Sequence, residues 1–226
     1  MNNRRIPTRV WIIILCVLIM ANCFVWVQGM KDRYEAGRLD EQTDRYENEI
    51  ADAKEKSRRT LMTHLLTIDS FMDEVTAIFD KGEFPAGVTA MIAFDGDNMG
   101  KKNEQYGESV GTKLCMTFAD VVKRHFPDSD MNIVTNVGEK SDEFYMLLMG
   151  RESREALIKE IESFQQDIRD SYVLAEDGVT KVSGTVSVGI AFMSEGEEFD
   201  VLFDAADQAG YEAKEAGKDC YAVAKD

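Results

Sequence analysis

The sequence predicts an α+β protein whose globular part is a ferredoxin-like, palm-type domain with an antiparallel central sheet, preceded by a transmembrane helix and a coiled-coil helix. Three observations carry this. An apolar run lies at Val10–Val27, a proline-free charged stretch with helical spacing follows from Met30, and from Val88 strand-like and helix-like patterns alternate as β-α-β-β-α-β-α.

The apolar run, "VWIIILCVLIMANCFVWV", has Asn22 as its one strongly polar residue. At about 1.5 Å per residue it nearly spans a hydrocarbon core, which places a transmembrane helix at 10–28 behind a short tail at 1–9. A cleaved secretory signal is the rival, since Arg4, Arg5 and Arg9 form a basic start. The apolar core is too long for one and no A-x-A site follows. "IMANCF" matches a lipoprotein box weakly, because Asn22 stands where a small residue belongs. The basic residues flanking the span nearly balance, Lys31, Arg33, Arg38 and Arg45 lying on the far side, so charge leaves the orientation open.

Over 226 residues the chain is 44% hydrophobic and 30% charged, the composition of a folded protein. Its net charge of −16 argues against nonspecific nucleic-acid binding, which needs a basic surface. A small anionic substrate held by a metal and a few lysines stays open. Cys16, Cys23, Cys115 and Cys220 show no metal-ligand spacing and suggest no disulfide framework.

From 30 to 80 the chain reads as a helical linker. Leu61, Leu65, Ile68, Met72, Val75 and Phe79 alternate spacings of four and three, the seam of a two-stranded coiled coil, and predict a homodimer through helix 61–79. Tyr46, Ile50 and Ala53 follow a different phase, so the register slips near Arg58. The plainer alternative is a helix packed on the domain that follows.

"DKGEFPAG" breaks this helix, and 85–226 forms the globular domain. Val88–Phe94 is a buried strand, Ser109–Phe126 an amphipathic helix, and "NIVTNV" and "FYMLLM" a hairpin around "GEKSDE". Ser153–Asp170 is a helix, "GTVSVGIAF" a strand and Asp200–Gly217 a last helix, all the helices being expected on one face of the sheet. The first strand ends at Asp95 and the hairpin presents Asp142 and Glu143. In a palm topology these acids meet at one sheet edge, where carboxylates repel unless a hard cation such as Mg²⁺ binds. Two such ions would stabilise the attacking and leaving oxygens of a phosphoryl displacement. The alternative is that Asp95, Asp97 and Asp142 are turn residues in an acidic chain.

Four separated stretches, in order, resemble the GGDEF diguanylate cyclase family. "DGDNMGKKNEQYGESVGTKL" is similar to its D-x-D-x-F-K-x-x-N-D-x-x-G-H-x-x-G-D segment, "GEKSDEF" to its signature, and "TVSVGIA" and "ADQAGYEAKEAGKD" to its closing strand and helix. The resemblance spans about Val88 to Val223. It implies that Asp95 and Asp142 bind Mg²⁺ (or Mn²⁺) with the carbonyl of Gly96, and that Asp142 and Glu143 are the catalytic acids. It further implies that backbone amides of Asn98, Met99 and Gly100 cradle phosphates. Asn103 would read the purine edge with Thr112 at the second base position, and Lys214 and Lys218 would reach the triphosphate. The implied reaction condenses two GTP, each 3′-hydroxyl attacking the other's α-phosphate with loss of pyrophosphate, in two facing domains. The implied reaction requires a dimer, and since NTPs are cytoplasmic it needs the C-terminal domain of this single-pass inner-membrane protein on the inside.

The departures are equally specific. Glu139 and Lys140 read as a two-residue insertion after Gly138, with Ser141 for the second glycine, and the widened turn is expected to crowd GTP. Thr112 stands where the family usually has Asp, which weakens guanine selectivity because one hydroxyl replaces a two-oxygen acceptor. Gly100 replaces a lysine, no R-x-x-D precedes the hairpin, and the D-x-L-T-x-L-x-N-R segment is expected to be missing. "DGDNMG" is also similar to the first palm motif of CRISPR-associated polymerases that make cyclic oligoadenylates, which keeps another purine NTP open as substrate. The same features make a catalytically inactive domain, acting as nucleotide receptor or scaffold, the alternative function.

Overall fold

A computed structural model describes residues 8–225, with side chains over 15–53 and 57–225. The predicted tail at 1–9 lies outside the described residues except for its last two. The chain divides into two units, 1–56 and 57–226.

The described residues of the first unit form one helix, α1 (Thr8–Ser57). Among the described residues it is the one helix long and apolar enough to cross a membrane. Leu15, Leu18, Phe24 and Trp26 are exposed along it, as are Tyr34, Leu39, Tyr46 and Ile50 further on. Arg45–Glu49 and Lys31–Glu35 ion pairs at i,i+4 line its charged half.

The coiled-coil seam predicted over 61–79 is not a continuous helix. The chain turns at 58–67, where Thr60 N–H donates to Leu65 O (2.9 Å) and His64 takes a left-handed φ of 59°. Leu66 then joins the sheet edge, its N–H donating to Val134 O and its carbonyl accepting from Thr135 Oγ1 (2.8 Å). Helix α2 (Ile68–Lys81) starts only after Thr67, whose Oγ1 caps it by accepting from Ser70 N–H, and ends at the left-handed Gly82. Phe71 and Val75 are fully buried against the sheet, while Leu61 at the head of the supposed seam is 80% exposed. The four-three spacing is therefore mostly an amphipathic helix docked on its own domain, and the homodimer through 61–79 loses its seam.

Next come β1 (Val88–Gly96), α3 (Met99–Tyr106), α4 (Glu108–His125), β2 (Asn132–Asn136), β3 (Glu143–Arg151) and α5 (Arg154–Asp170). They are followed by a small hairpin of β4 (Tyr172–Leu174) and β5 (Lys181–Ser183), then β6 (Val186–Phe192), α6 (Phe199–Glu215) and β7 (Tyr221–Val223). The sheet order is β2-β3-β1-β6-β7, antiparallel except for the β6–β7 edge.

Helices cover both faces of the sheet, not one. Alternate residues of a strand point to opposite sides, and β1 is apolar at nearly every position. Ala90, Ile92 and Phe94 pack with Leu114, Phe118, Leu157 and Phe164 of α4 and α5. Met91 and Ala93 pack with Phe71 and Val75 of α2 and Leu202 and Ala206 of α6. A strand buried on both faces shows a continuous apolar run, which hides the second layer from a reading of periodicity. Contact between α6 and β6 is close: a Cβ on Gly189 would stand 2.1 Å from Ala206 O and 2.2 Å from Gly210 N. Glycine there lets α6 lie on the strand and brings Lys214 over the end of β1.

Candidate nucleotide and metal site

Asp95 and Glu143 are register partners across β1 and β3, at the end of the sheet where the strands stop. Gly96 N–H donates to the carbonyl of Asp142 (3.0 Å), so Asp142 adjoins the rung of Asp95 and Glu143. Space is tight behind them, a Cβ on Gly96 meeting Asp142 Cβ at 3.0 Å and Met99 Cγ at 2.9 Å. Burial, then the charge of Asp95, holds the Asp142 carboxyl above its ordinary range; Glu143 adds to this and Lys214 opposes it. Lys214 Nζ sits 2.9 Å from Asp95 Oδ2.

On the α6 side of this rung lies a cavity of about 190 Å³ whose lining includes Asp95, Glu143, Tyr145, Asp207 and Lys214. The Tyr145 hydroxyl donates to Asp207 Oδ1 (3.0 Å), and burial foremost, then Asp207, pushes its pKa up. Tyr145 and Asp207 were not singled out in the sequence. Tyr145 was legible in principle, because it stands two residues beyond Glu143 on a strand and so shares its face.

The expected phosphate turn begins at Asn98, which takes a left-handed φ of 57° and makes no side-chain cap to α3. Its Oδ1 accepts instead from Lys218 Nζ (2.8 Å), so Lys218 reaches this turn rather than the acids. The first amides of a helix have no intrahelical acceptor; Met99 and Gly100 supply them here. Lys102, another residue not singled out, donates to Asp97 O (2.9 Å). Burial lowers its pKa, with Asp97 opposing and Lys218 adding. Asp97 itself is 2% exposed and is spent on protein donors: Ser187 Oγ (2.6 Å), Thr185 Oγ1 (2.7 Å) and Asp219 N–H (3.0 Å). It fastens β1 to the loop of Lys218 and Asp219, both at positive φ.

A second cleft, about 240 Å³, opens on the other side of Asp142 and is lined by Met99, Asn103, Gly111, Thr112, Lys140 and Asp142 among others. Asn103 Oδ1 is buried there with no hydrogen-bond partner. Such orphans are rare in native proteins and are commonly completed by a ligand or water. Gly111 makes room for it, since a Cβ would fall 1.7 Å from that oxygen. Cys115 borders the same cleft; burial, then Asp142, raises its thiol to about 12.

The signature hairpin is built without a glycine pair. Ser141 N–H donates to Gly138 O (3.0 Å), Ser141 Oγ accepts from Glu143 N–H (3.1 Å), and Asn136 Nδ2 donates to the carbonyls of Ser141 (2.9 Å) and Glu143 (3.1 Å). Of the two inserted residues only Lys140 lines the cleft. Glu139 points to the 58–67 turn, its carboxylate accepting from Leu61 N–H (2.7 Å) and Met62 N–H (3.0 Å).

Two acids on facing strand ends lie between two clefts of a palm fold, the second of which holds an orphaned amide oxygen, and residues 59–220 match the family model described as diguanylate cyclase, GGDEF domain. The chain belongs to the GGDEF family. It is 28% identical over 135 residues to the diguanylate cyclase DgcS of Shewanella oneidensis, a match that covers 60% of this chain and 42% of that protein. The chain thus matches under half the length of this curated relative. In fold it is similar to the coiled coil and GGDEF domain of DgcB from Caulobacter crescentus, solved with c-di-GMP (TM-score 0.73, 20% identity, 83% of this chain and 98% of that one). It is also similar to the diguanylate cyclase SiaD of Pseudomonas aeruginosa, solved with its activator SiaC (TM-score 0.67, 20% identity, 96% and 82%).

The family match begins at residue 59, upstream of the domain start expected at 85. Thr60–Ile68 of this GGDEF domain reads T-L-M-T-H-L-L-T-I and shares with D-x-L-T-x-L-x-N-R the threonine at Thr63 and the leucine at Leu65 alone.

Proposed function

We propose that this chain is a membrane-anchored, dimeric diguanylate cyclase-type enzyme that condenses two GTP, or a related purine NTP, into a cyclic dinucleotide with Mg²⁺ (or Mn²⁺). The observation that carries the reading is the rung of Asp95 and Glu143, with Asp142 adjoining, set between two clefts, one under Lys214 and one holding the orphaned Asn103 oxygen. Carboxylates that raise one another's affinity for positive charge are a donor set suited to a hard divalent ion. Asp95, Asp142 and the carbonyl of Gly96 would hold it, with Glu143 beside them. Such an ion, when bound, supplies charge stabilisation for the attacking and leaving oxygens at the α-phosphate.

The chain's own residues account for the rest. Amides of Asn98, Met99 and Gly100 would hold the phosphates, and Lys214 and Lys218 the triphosphate. Asn103 Oδ1 would accept a purine N–H. Thr112 offers one hydroxyl, so discrimination between guanine and adenine is expected to be shallow. Each 3′-oxygen bonds to the partner nucleotide's α-phosphorus, its proton is lost and pyrophosphate leaves. That requires two facing domains. With 61–79 folded onto its own domain, the pairing falls to α1, where Leu39, Thr43, Tyr46, Ile50 and Ala53 repeat at four-three spacing. Substrate supply places the domain in the cytoplasm, and cleavage of the C-terminus by protease added outside intact spheroplasts would contradict this.

Two observations favour an inactive nucleotide receptor as second reading: among the described residues no three His, Cys, Asp or Glu side chains converge as a ready metal cage, and Lys214 pairs with Asp95. The full chain in nanodiscs, incubated with Mg²⁺ and each NTP and read by mass spectrometry, separates the two. A cyclic dinucleotide abolished by Asp95→Ala and by Asp142→Ala supports the enzyme. No such product from any NTP, in a preparation confirmed dimeric, overturns it.

A further inference from the structure

Glu139 is one of two residues inserted in the signature, and its carboxylate grips two consecutive amides, Leu61 N–H at 2.7 Å and Met62 N–H at 3.0 Å. These amides belong to the turn that follows α1 by four residues. The same turn is anchored elsewhere: Lys123 Nζ donates to Thr63 O (3.1 Å), and Leu66 pairs with β2. On the other side of the grip, the hairpin from Gly138 to Ser141 leads without slack into Asp142 and Glu143, its backbone braced by Asn136 and Ser141 Oγ. A glycine pair at this place would give the hairpin no side chain with which to hold anything outside itself.

We propose that Glu139 is a positioning residue: it sets the acids of the signature hairpin from the linker side, so that the path of the chain leaving α1 is coupled to the metal-binding rung. The inference rests on the nucleotide-condensing reading for its link to turnover, but not for its link to metal binding. Two good acceptors on one carboxylate fix both the height and the rotation of the hairpin tip. Loss of them frees the tip while leaving every bond within the hairpin intact. Glu139 touches no cavity identified at the site, so it acts only through Asp142 and Glu143.

The test uses the full chain with Glu139→Ala and Glu139→Gln, the amide keeping one acceptor oxygen. Mn²⁺ affinity is read by electron paramagnetic resonance, and amide exchange at Leu61 and Met62 by hydrogen–deuterium exchange. Expected in Glu139→Ala are faster exchange at both amides and an Mn²⁺ dissociation constant raised about fivefold or more, with Glu139→Gln between it and the parent. Where product is formed, kcat falls by about tenfold while KM moves less than about twofold. Mn²⁺ affinity unchanged in a folded Glu139→Ala protein whose Leu61 and Met62 amides exchange freely overturns the proposal. So does a parent protein that binds no Mn²⁺. A parent that binds Mn²⁺ in a Glu139-dependent way but makes no product from any NTP supports this inference and counts against the enzyme reading alone.

Discussion

The ammonium of Lys214, one residue from the end of α6, lies 2.9 Å from Oδ2 of Asp95, at the last residues of β1. Both side chains are partly exposed, so the pair contributes no more than about 1 kcal/mol to stability. Its consequence is local: a cation must displace or share the lysine to reach Asp95. Lys214→Met is expected to tighten Mn²⁺ binding about threefold without nucleotide, and to lower product formation about tenfold through loss of a phosphate contact. Mn²⁺ titration and product assays on the same preparation check both directions.

Asp142→Asn should stabilise the domain while abolishing any cyclic dinucleotide the parent forms. The Asp142 carboxyl is raised in the folded protein, so the folded state holds its proton more tightly than the unfolded chain does. Stability from this group is therefore highest at low pH and is lost as pH rises from the unfolded range through the raised folded value. At neutral pH the variant should melt above the parent, and the gap should close below about pH 4, where both forms are neutral. Added Mg²⁺ should narrow the gap by stabilising the parent. Thermal melts at acid and neutral pH decide it.

Phe71 and Leu61 separate the docked helix from a dimerising rod. Phe71 is fully buried between α2 and the sheet, and Phe71→Ala should cost about 3–5 kcal/mol in urea unfolding. Leu61 is 80% exposed, and Leu61→Ala should change stability by less than about 0.5 kcal/mol and leave the oligomeric state alone. A rod with its seam at Leu61 predicts loss of the dimer instead. Sedimentation of the two variants tells them apart.

Gly111→Ala tests the Asn103 cleft from behind. Its methyl would fall 1.7 Å from Asn103 Oδ1, the far end of a movable side chain, so Asn103 turns away. Stability should fall by about 1–3 kcal/mol, the usual range for overpacking, while binding of a purine NTP weakens about tenfold or more. Calorimetric titration with GTP and ATP measures the loss and shows which base depends more on Asn103.

Much of the fold was legible because each strand and helix carries its own period. The hairpin of β2 and β3, the helix over α5 and the buried run of β1 follow from apolar spacing and turn residues alone. The helical layer of α2 was misassigned for a physical reason: an amphipathic stripe states that one face is buried, not against what. Phe71 lies outside the predicted seam and is more deeply buried than Leu65, which lies within it. Near the rung, Asp95, Asp142 and Glu143 were brought together by the palm order of strands and Asn103 was named by the family resemblance, whereas Asp207 and Lys102 carry no such signal. Asp207 matters only because α6 brings it to Tyr145.

By itself the sequence determined the apolar segment, the palm order of elements and the acidic turns, since these depend on local pattern and on residue types set at fixed intervals. The tertiary structure decided what pattern cannot encode. It turned 58–67 into a docked turn, put helices on both faces of the sheet, spent Asp97 as a fastener while leaving Asp95 beside Lys214, and sent Glu139 to the linker and Lys140 to the cleft. Those outcomes depend on contacts between residues far apart in the chain, where burial and hydrogen-bond geometry select one partner among many of the same chemical type.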